Sequence, residues 1–447
     1  MSHAPLTYPE PKTNMSTVTQ HLTHTILSRL RKPFQMLAGM ELENMVYRSD
    51  LMRLPVNPGE HFSAVELRDS LEKRCVEAGI FPSLTVEPGG QIEFGGSPFR
   101  DLHQVHEELQ KYQENLFEIC REEDLILLDF ALDPLYKPED IIIIDQTKYH
   151  LMHERFGTTG FHGHWMMKMT ASLQLNLDYS SAEEAAQLAL VADVLQPFLS
   201  LLTANAPFMN GKPNAKRNMR FDIWEDTDPA RCGGLLDHGI TTQAELLTAF
   251  THLVTEAPAI FGQDENDTIV PFEGTLGDWL ESVAKTRELH SREGLIALHQ
   301  IFTHVRFKDI LEIRTPDRPP LGYEMAPVAF ITGLLKEPCC LDEVVELASS
   351  WSLKERREAV EKSKTLDLSQ TTFHGKSFHT WFEQLFELSL MGLDTRAEQI
   401  GIPSERIYLE AFAEQFLTKG PFSLQIQEEF MTSGKSLKAF IRDRWEA

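Results

Sequence analysis

Two glutamates separated by one residue occur in the segment GMELE, and this spacing could support metal chemistry. Side chains two apart on a β-strand point to the same face, so Glu41 and Glu43 would share one small volume. Carboxylates that close repel each other unless a cation neutralises them, and Mg²⁺ prefers carboxylate oxygen. The pair indicates a metal site, although a solvated sheet face is the simpler explanation of this pair taken alone.

A second group of oxygen donors surrounds the turn in EPGGQIEF. Gln91 and Glu93 would share one strand face, and Glu87 comes directly before the Pro-Gly-Gly turn. These oxygens could converge on the same cation, and turn glycines let a ligand approach the backbone closely. An ordinary hairpin that uses glycine for its turn explains the same residues.

Polar residues alternate with leucine or isoleucine in two further segments. TASLQLNLDY places Gln174, Asn176 and Asp178 on one face, which suits either a ligand-lined sheet or a wet one. ILEIR places Glu312 and Arg314 together. A carboxylate for metal beside a guanidinium for phosphate is the combination that phosphoryl transfer requires.

Positive charge is concentrated in the segment KRNMRFDIWEDTDPAR. Arg217, Arg220 and Arg231 surround Trp224 there. Such local charge matters because the whole chain has 42 Lys and Arg against 67 Asp and Glu, a formal net charge of -25. We therefore expect no nucleic-acid partner, and anionic substrates would need metal ions or a few arginines. A surface loop with alternating charges is the alternative interpretation of this segment.

The remaining composition predicts a cytoplasmic protein. No apolar run approaches the ~20 residues that span a bilayer, so we expect no membrane association. Residues 1–16 lack the apolar core of a signal peptide and are predicted to form a loose tail before one catalytic domain over residues 17–447. The sequence leaves the oligomeric state open. The cysteines are odd in number and lack CxxC spacing, which fits a reducing compartment: Cys75, Cys120, Cys232, Cys339 and Cys340.

The elements that must position these residues follow from hydrophobic periodicity. Strands are predicted at 35–47 and 167–179, within the hairpin 84–94, and at 307–315. Helices are predicted from residue 17 to a break at Pro33, at 63–79, 101–120 and 185–202, and then repeatedly from 328 to the C-terminus. The pattern is α+β with a helical C-terminal third. Because the polar strand residues are dispersed from about 35 to 315, one compact domain is needed to collect them.

Two apparent motifs do not fit their usual chemistry. SGKS at residues 433–436 lacks the first glycine of a phosphate loop, since Glu429 stands there, and it follows a helical pattern. The two histidines of FHGHW lack further zinc ligands at defined spacing.

In this order, the segments GMELE, EPGGQIEFGGSPFRDLH, TASLQLNLDYSS, LLTANAPFMNGKPN, MRFDIWEDTDPAR and ILEIR resemble the glutamate-cysteine ligase family of plant and proteobacterial type. The resemblance extends from about residue 35 to 330. It implies a glutamine-synthetase-like fold, in which a curved, mostly antiparallel sheet carries helices on its outer face. It also implies ATP and Mg²⁺ as cofactors, glutamate and cysteine as substrates, and a γ-glutamyl phosphate intermediate.

The resemblance also assigns residues to roles. One group of metal ligands would be Glu41, Gln174 and Glu312, and the other Glu43, Glu87 and Glu93. Arg220 and Arg314 would be catalytic, meeting phosphate or the glutamate carboxylate. Substrate contacts are expected from Asn176, Trp224 and Arg231.

This chain departs from the family at two places. Relatives of plant type commonly have histidine where Asp222 stands, and LEMRGAD where this chain reads LEIRTPD. These differences could alter the acceptor amine or the phosphate contacts, but they leave the carboxylate set untouched. Three other functions stay open. They are a ligase that uses a different amine, a catalytically silent metal-nucleotide binder that regulates a partner, and a metallohydrolase.

Overall fold

The computed structural model describes residues 16–32 and 35–446. The predicted tail, apart from Ser16, and the predicted break at Pro33 lie outside the described residues. The helices are α1 (Thr17–Ile26), α2 (Ala64–Glu77), α3 (Leu102–Glu122), α4 (Thr147–Thr159), α5 (Gly163–Met169), α6 (Ala182–Val194), α7 (Gln196–Thr203), α8 (Met219–Glu225), α9 (Leu246–Glu256), α10 (Leu276–Ala284), α11 (Ser291–Leu298), α12 (Met325–Leu335), α13 (Pro338–Ser350), α14 (Leu353–Ser363), α15 (Phe378–Ile400), α16 (Glu410–Lys419), α17 (Phe422–Ser433) and α18 (Leu437–Glu446). The strands are β1 (Ala38–Arg48), β2 (Ser83–Val86), β3 (Ile92–Gly95), β4 (Leu125–Leu128), β5 (Leu173–Leu177), β6 (Phe208–Met209), β7 (Lys212–Pro213), β8 (Cys232–Gly233), β9 (Gly262–Gln263), β10 (Ile269–Val270), β11 (Phe302–Thr303), β12 (Val305–Phe307) and β13 (Leu311–Ile313).

A seven-stranded sheet forms the centre of the molecule. Its order is β12-β13-β5-β1-β3-β2, and β4 pairs with the far end of β1. Each of these pairings is antiparallel. The predicted α+β class, the antiparallel sheet and the helical C-terminal third are therefore confirmed.

Strand register separates the sheet into an apolar and a polar face. Leu42 pairs with Leu173, and both are fully buried in the core, as is Leu175. On the opposite face the register aligns polar residues, since side chains alternate along each strand. The aligned pairs are Glu41 with Gln174, Glu43 with Glu93, and Asn176 with Glu312.

Helices cover the sheet and continue its core. Helix α3 contacts β1 and β4, and α6 contacts β12 and β13. One hydrophobic cluster includes residues from Val18 in α1 to Ile441 in α18. The division into a loose tail and one catalytic domain stays a prediction.

The helix predicted at 185–202 is instead two helices, α6 and α7, which are bent by 56°. Pro197 near the start of α7 lacks the N–H that a continuous helix would need, so the chain turns there. Ser181 caps α6 by accepting from Glu184 N at 3.1 Å, whereas the Glu184 carboxylate accepts from Ser180 N at 2.6 Å. In the described residues no one helix is long and apolar enough to cross a membrane; α6 and α7 pass that test only as this bent pair.

Glycines allow α12 and α15 to pack closely. A Cβ atom at Gly392 would overlap the carbonyl oxygen of Gly333. We expect Gly392→Ala to lower the free energy of unfolding by about 1–3 kcal/mol because the two helices must move apart. Thermal unfolding measures this, with Gly59→Ala, whose Cβ meets nothing within 4 Å, as the matched control. Equal melting temperatures of the two variants would contradict the prediction.

Candidate active site

A cavity of about 410 Å³ lies over the polar face of the sheet. Helices α4 and α11 and the short β9–β10 hairpin close its other sides through Tyr149, Ile296 and Gln263. Six of the residues that the sequence singles out line it together: Glu41, Glu43, Glu87, Glu93, Gln174 and Arg314.

Three of these glutamates form an acidic cluster, Glu43, Glu87 and Glu93. Glu43 accepts from Ser172 N at 2.7 Å, and Glu93 accepts from the Thr85 hydroxyl at 2.5 Å. Burial, and then repulsion from the neighbouring carboxylates, raises the pKa of Glu43 and of Glu87 to about 7. The same causes raise the pKa of Glu93 to about 8. The cluster therefore holds protons near neutral pH, or requires a cation.

A basic cluster surrounds the fully buried carboxylate of Glu312. Arg306 Nε lies 2.6 Å and Arg314 Nη1 2.9 Å from Glu312 Oε2, and Lys308 pairs with the other oxygen. Burial acts to raise the pKa of Glu312, but these three cations hold it well below its usual range. Glu312 is not among the residues lining the cavity, and its carboxylate would have to give up a cation to ligate a metal. Its role as a ligand stays a prediction.

Arg220 and Trp224, both on α8, lie next to Arg314 but do not line the cavity. Arg220 is 4% exposed, pairs with Asp317 at 3.3 Å and donates to the Thr315 carbonyl at 3.1 Å. The Trp224 ring lies 5.8 Å from the Arg220 guanidinium and 5.6 Å from that of Arg314. Arg314 itself donates to Gln174 Oε1 at 2.5 Å. Arg314 thus lines the cavity, whereas Arg220 and Trp224 lie behind it.

The structure places Asn176 and Arg231 away from the cavity lining. Asn176 Nδ2 donates to Glu41 Oε1 at 2.8 Å, so it orients a carboxylate that does line the cavity. Arg231 is fully buried, pairs with Asp228 at 2.8 Å and donates to the Gln300 carbonyl at 2.9 Å. These contacts give Arg231 a structural position, and a substrate contact for either residue stays a prediction.

Sequence reasoning missed three cations that line the cavity, Lys148, Arg306 and Lys308. Arg306 pairs with Glu312 in the β12–β13 hairpin, and Lys308 stands two residues further on. The period-two pattern in VRFKDILEIR could have indicated both. Lys148 comes from α4, and no strand pattern marks it. Among the described residues its amine has no carboxylate partner; it lies 4.3 Å from the centre of the Tyr149 ring.

The acidic cluster fits a divalent cation by its donors. Within the described residues, no three His, Cys, Asp or Glu side chains stand close enough to form a ready-made metal site. However, Glu43 and Glu93 are paired across β1 and β3, and their pKa values are raised by burial and then by like charge. Buried carboxylates in this condition gain from Mg²⁺ binding.

The structure defines an α+β protein whose antiparallel sheet has one apolar face and a charged cavity over the other. The chain belongs to glutamate-cysteine ligase family 2, because the model of that family matches residues 37–384. Curated relatives include the chloroplastic glutamate-cysteine ligases of Medicago truncatula, 29% identical over 348 residues, and of Arabidopsis thaliana, 30% identical over 319 residues. The matches cover 74% and 70% of this chain.

The chain spans only 64% and 60% of the length of these two relatives. Among solved structures it is similar to a glutamate-cysteine ligase from Francisella tularensis in complex with AMP. The TM-score is 0.57 at 14% identity, covering 93% of this chain and 88% of the other. This likeness confirms the predicted fold.

Proposed function

We propose that this chain is an ATP- and Mg²⁺-dependent carboxylate-amine ligase that joins glutamate to cysteine. The observation that carries the proposal is that one cavity is lined both by three carboxylates, Glu43, Glu87 and Glu93, and by cations that include Lys148 and Arg314. Such a lining suits a nucleoside triphosphate neutralised partly by metal and partly by protein cations. The family of the curated relatives supports glutamate and cysteine as substrates, and the AMP in the Francisella structure supports a nucleotide.

The protein would contribute mainly positioning and electrostatic stabilisation. Bound at Glu43, Glu87 and Glu93, Mg²⁺ would neutralise phosphate charge. Arg314 and Lys148 would hold the γ-phosphoryl group while a carboxylate oxygen of glutamate attacks phosphorus and ADP leaves. The amine of cysteine would then attack the acyl carbon, forming the amide, releasing phosphate and losing a proton. No protein nucleophile is needed.

The test is ADP release with Mg²⁺, glutamate and cysteine, compared with reactions that omit each one. We expect release to require both amino acids and the product mass to equal their sum less one water. Release that is indifferent to both amino acids would overturn the proposal. ATP binding without turnover would favour a silent regulator, and a panel of amines tests the acceptor.

The cytoplasmic location is likewise proposed; the curated relatives are named chloroplastic.

Mg²⁺ should stabilise the protein more at about pH 8.5 than at about pH 6, because the metal must displace protons from the acidic cluster at the lower pH. The raised pKa values of Glu43, Glu87 and Glu93 mean that the folded protein keeps protons which the unfolded chain releases. Without metal, their contribution to stability therefore falls as pH rises from about 4.5 to about 8.

Melting temperatures with and without millimolar MgCl₂ measure this difference. Sodium chloride at matched ionic strength is the control, since general screening affects surface charges at both pH values. Equal stabilisation by Mg²⁺ at the two pH values would contradict the prediction.

A further inference from the structure

Glu87 belongs to the acidic cluster but comes from a turn, not from a strand. The turn at residues 87–90 follows β2 and is closed by a hydrogen bond from Gly90 N to the Glu87 carbonyl at 2.8 Å. Strand register fixes Glu43 opposite Glu93 across β1 and β3. Glu87 lies outside the paired strands, so its position depends on what holds the turn against the rest of the protein.

Arg53 holds this turn by one of its carbonyl groups. Arg53 Nη2 donates to the Gly89 carbonyl at 2.8 Å and to the Lys168 carbonyl, on α5, at 3.4 Å. The Arg53 side chain is 7% exposed, and a hydrogen bond from a charged donor is about twice as strong as a neutral one. Gly89 also packs directly on α5, because a Cβ atom at Gly89 would overlap the Lys168 carbonyl oxygen. Arg53 therefore links the turn to α5.

Asp133 fixes the guanidinium group of Arg53. Its fully buried carboxylate pairs with Arg53 Nη1 through one oxygen and accepts from the Tyr47 hydroxyl at 2.6 Å through the other. Tyr47 is itself fully buried and lies on β1, the strand that carries Glu43. A continuous set of buried contacts therefore connects β1 with the turn that carries Glu87.

We propose that Arg53 is a positioning residue for Mg²⁺ binding: by holding the Gly89 carbonyl, it keeps the Glu87 carboxylate within the acidic cluster. The inference rests on the proposed function, in which that cluster binds the metal. Arg53 does not line the cavity, so it acts only through the turn. The restraint is needed because like charges favour separation before the metal binds, and because Mg²⁺ requires nearly ideal ligand geometry. Residues that orient metal ligands in this way commonly change metal affinity by about 10–100-fold.

Isothermal titration calorimetry of the full chain with MgCl₂ at about pH 8.5 tests the proposal without any turnover. We expect the Kd for Mg²⁺ to rise at least about tenfold in Arg53→Met. Arg53→Lys should raise it less, because an ammonium group keeps the charge but not the planar fork that contacts Asp133 and Gly89 together. Arg48→Met is the matched control, since it removes the same charge from a surface ion pair with Asp50. Its Kd should equal that of wild type.

A double variant separates positioning from folding. Arg53→Met leaves the buried Asp133 without its cation, and an uncompensated buried charge is strongly destabilising. Combining Arg53→Met with Asp133→Asn removes that charge as well, and the double variant should show the same rise in Kd. Melting temperatures without metal measure the folding of every variant separately.

A lower melting temperature with an unchanged Kd would show that Arg53 has only a structural role and would overturn the proposal. Tighter binding of Mg²⁺ would overturn it too, because the loss of a nearby cation favours a bound cation by charge alone. Both outcomes require that wild type binds Mg²⁺, and they leave the proposed function intact. Absence of Mg²⁺ binding by wild type, or binding that Glu93→Gln leaves unchanged, would instead overturn the proposed function together with this inference.

Discussion

The Glu312→Gln variant is expected to lose both activity and stability. Its carboxylate is fully buried between Arg306, Lys308 and Arg314. Replacing it with a neutral amide leaves buried guanidinium groups without their counter-charge, which costs about 3–5 kcal/mol in comparable buried pairs. Arg314 would also lose the partner that orients it toward the cavity. We expect kcat to fall by about 10²–10³, the range seen when one well-placed electrostatic group is lost.

Thermal unfolding and initial rates of ADP release measure the two effects. Because the pKa of Glu312 lies well below its usual range in the folded protein, its stabilising contribution should persist from about pH 5 upward and be lost only in stronger acid. Glu122→Gln is the matched control, since that glutamate is exposed and pairs with Arg74 on the surface. Such a surface pair contributes about 0–1 kcal/mol. Near-normal rates in Glu312→Gln would remove Glu312 from the site.

Glu93→Gln should show the opposite combination, with lower activity and higher stability. Burial, then Glu87 and Glu41, raises the pKa of Glu93 to about 8, so its ionised form is unfavourable in the folded protein without metal. Ionisation of Glu93 makes wild type less stable as pH rises from about 4.5 to about 8. Glutamine cannot ionise, so the Glu93→Gln variant does not lose this part of the free energy of unfolding. The melting temperature of the variant should exceed that of wild type by a few degrees at about pH 8.5 and by little at about pH 5.5.

Activity of the same variant should fall by about 10²–10³, because a metal ligand is lost. The stabilisation by Mg²⁺ at high pH should decrease with it. Glu60→Gln, at an exposed glutamate, controls for the change in charge. A Glu93→Gln variant that is less stable than wild type at high pH would show that the acidic cluster is not strained. A variant with full activity would exclude Glu93 from metal binding.

The sequence alone was sufficient to predict the faces of the strands. Alternation in GMELE, TASLQLNLDY and ILEIR placed Glu41, Glu43, Gln174 and Glu312 on one side of a sheet, because successive side chains point to opposite faces in any strand. The ordered motifs also predicted the family and the antiparallel α+β fold. Both were confirmed.

Part of the cavity lining could not be read from the sequence. Lys148 reaches it from a helix, and Arg231, in the segment with the most positive charge, is instead buried in a structural ion pair with Asp228. The sequence does place three cations close to Glu312, namely Arg306, Lys308 and Arg314, but their contacts with its buried carboxylate are seen only in the structure.

The physical reason is the distance along the chain over which each feature is determined. Which face a residue occupies depends on its immediate neighbours in the chain, so the sequence by itself determined which carboxylates are paired on one face of the sheet. Which charges meet across the cavity depends on strand order, register and helix packing between segments that are distant in the chain. Only the tertiary structure therefore decided that Glu43, Glu87 and Glu93 repel one another and that Lys148 lines the same cavity.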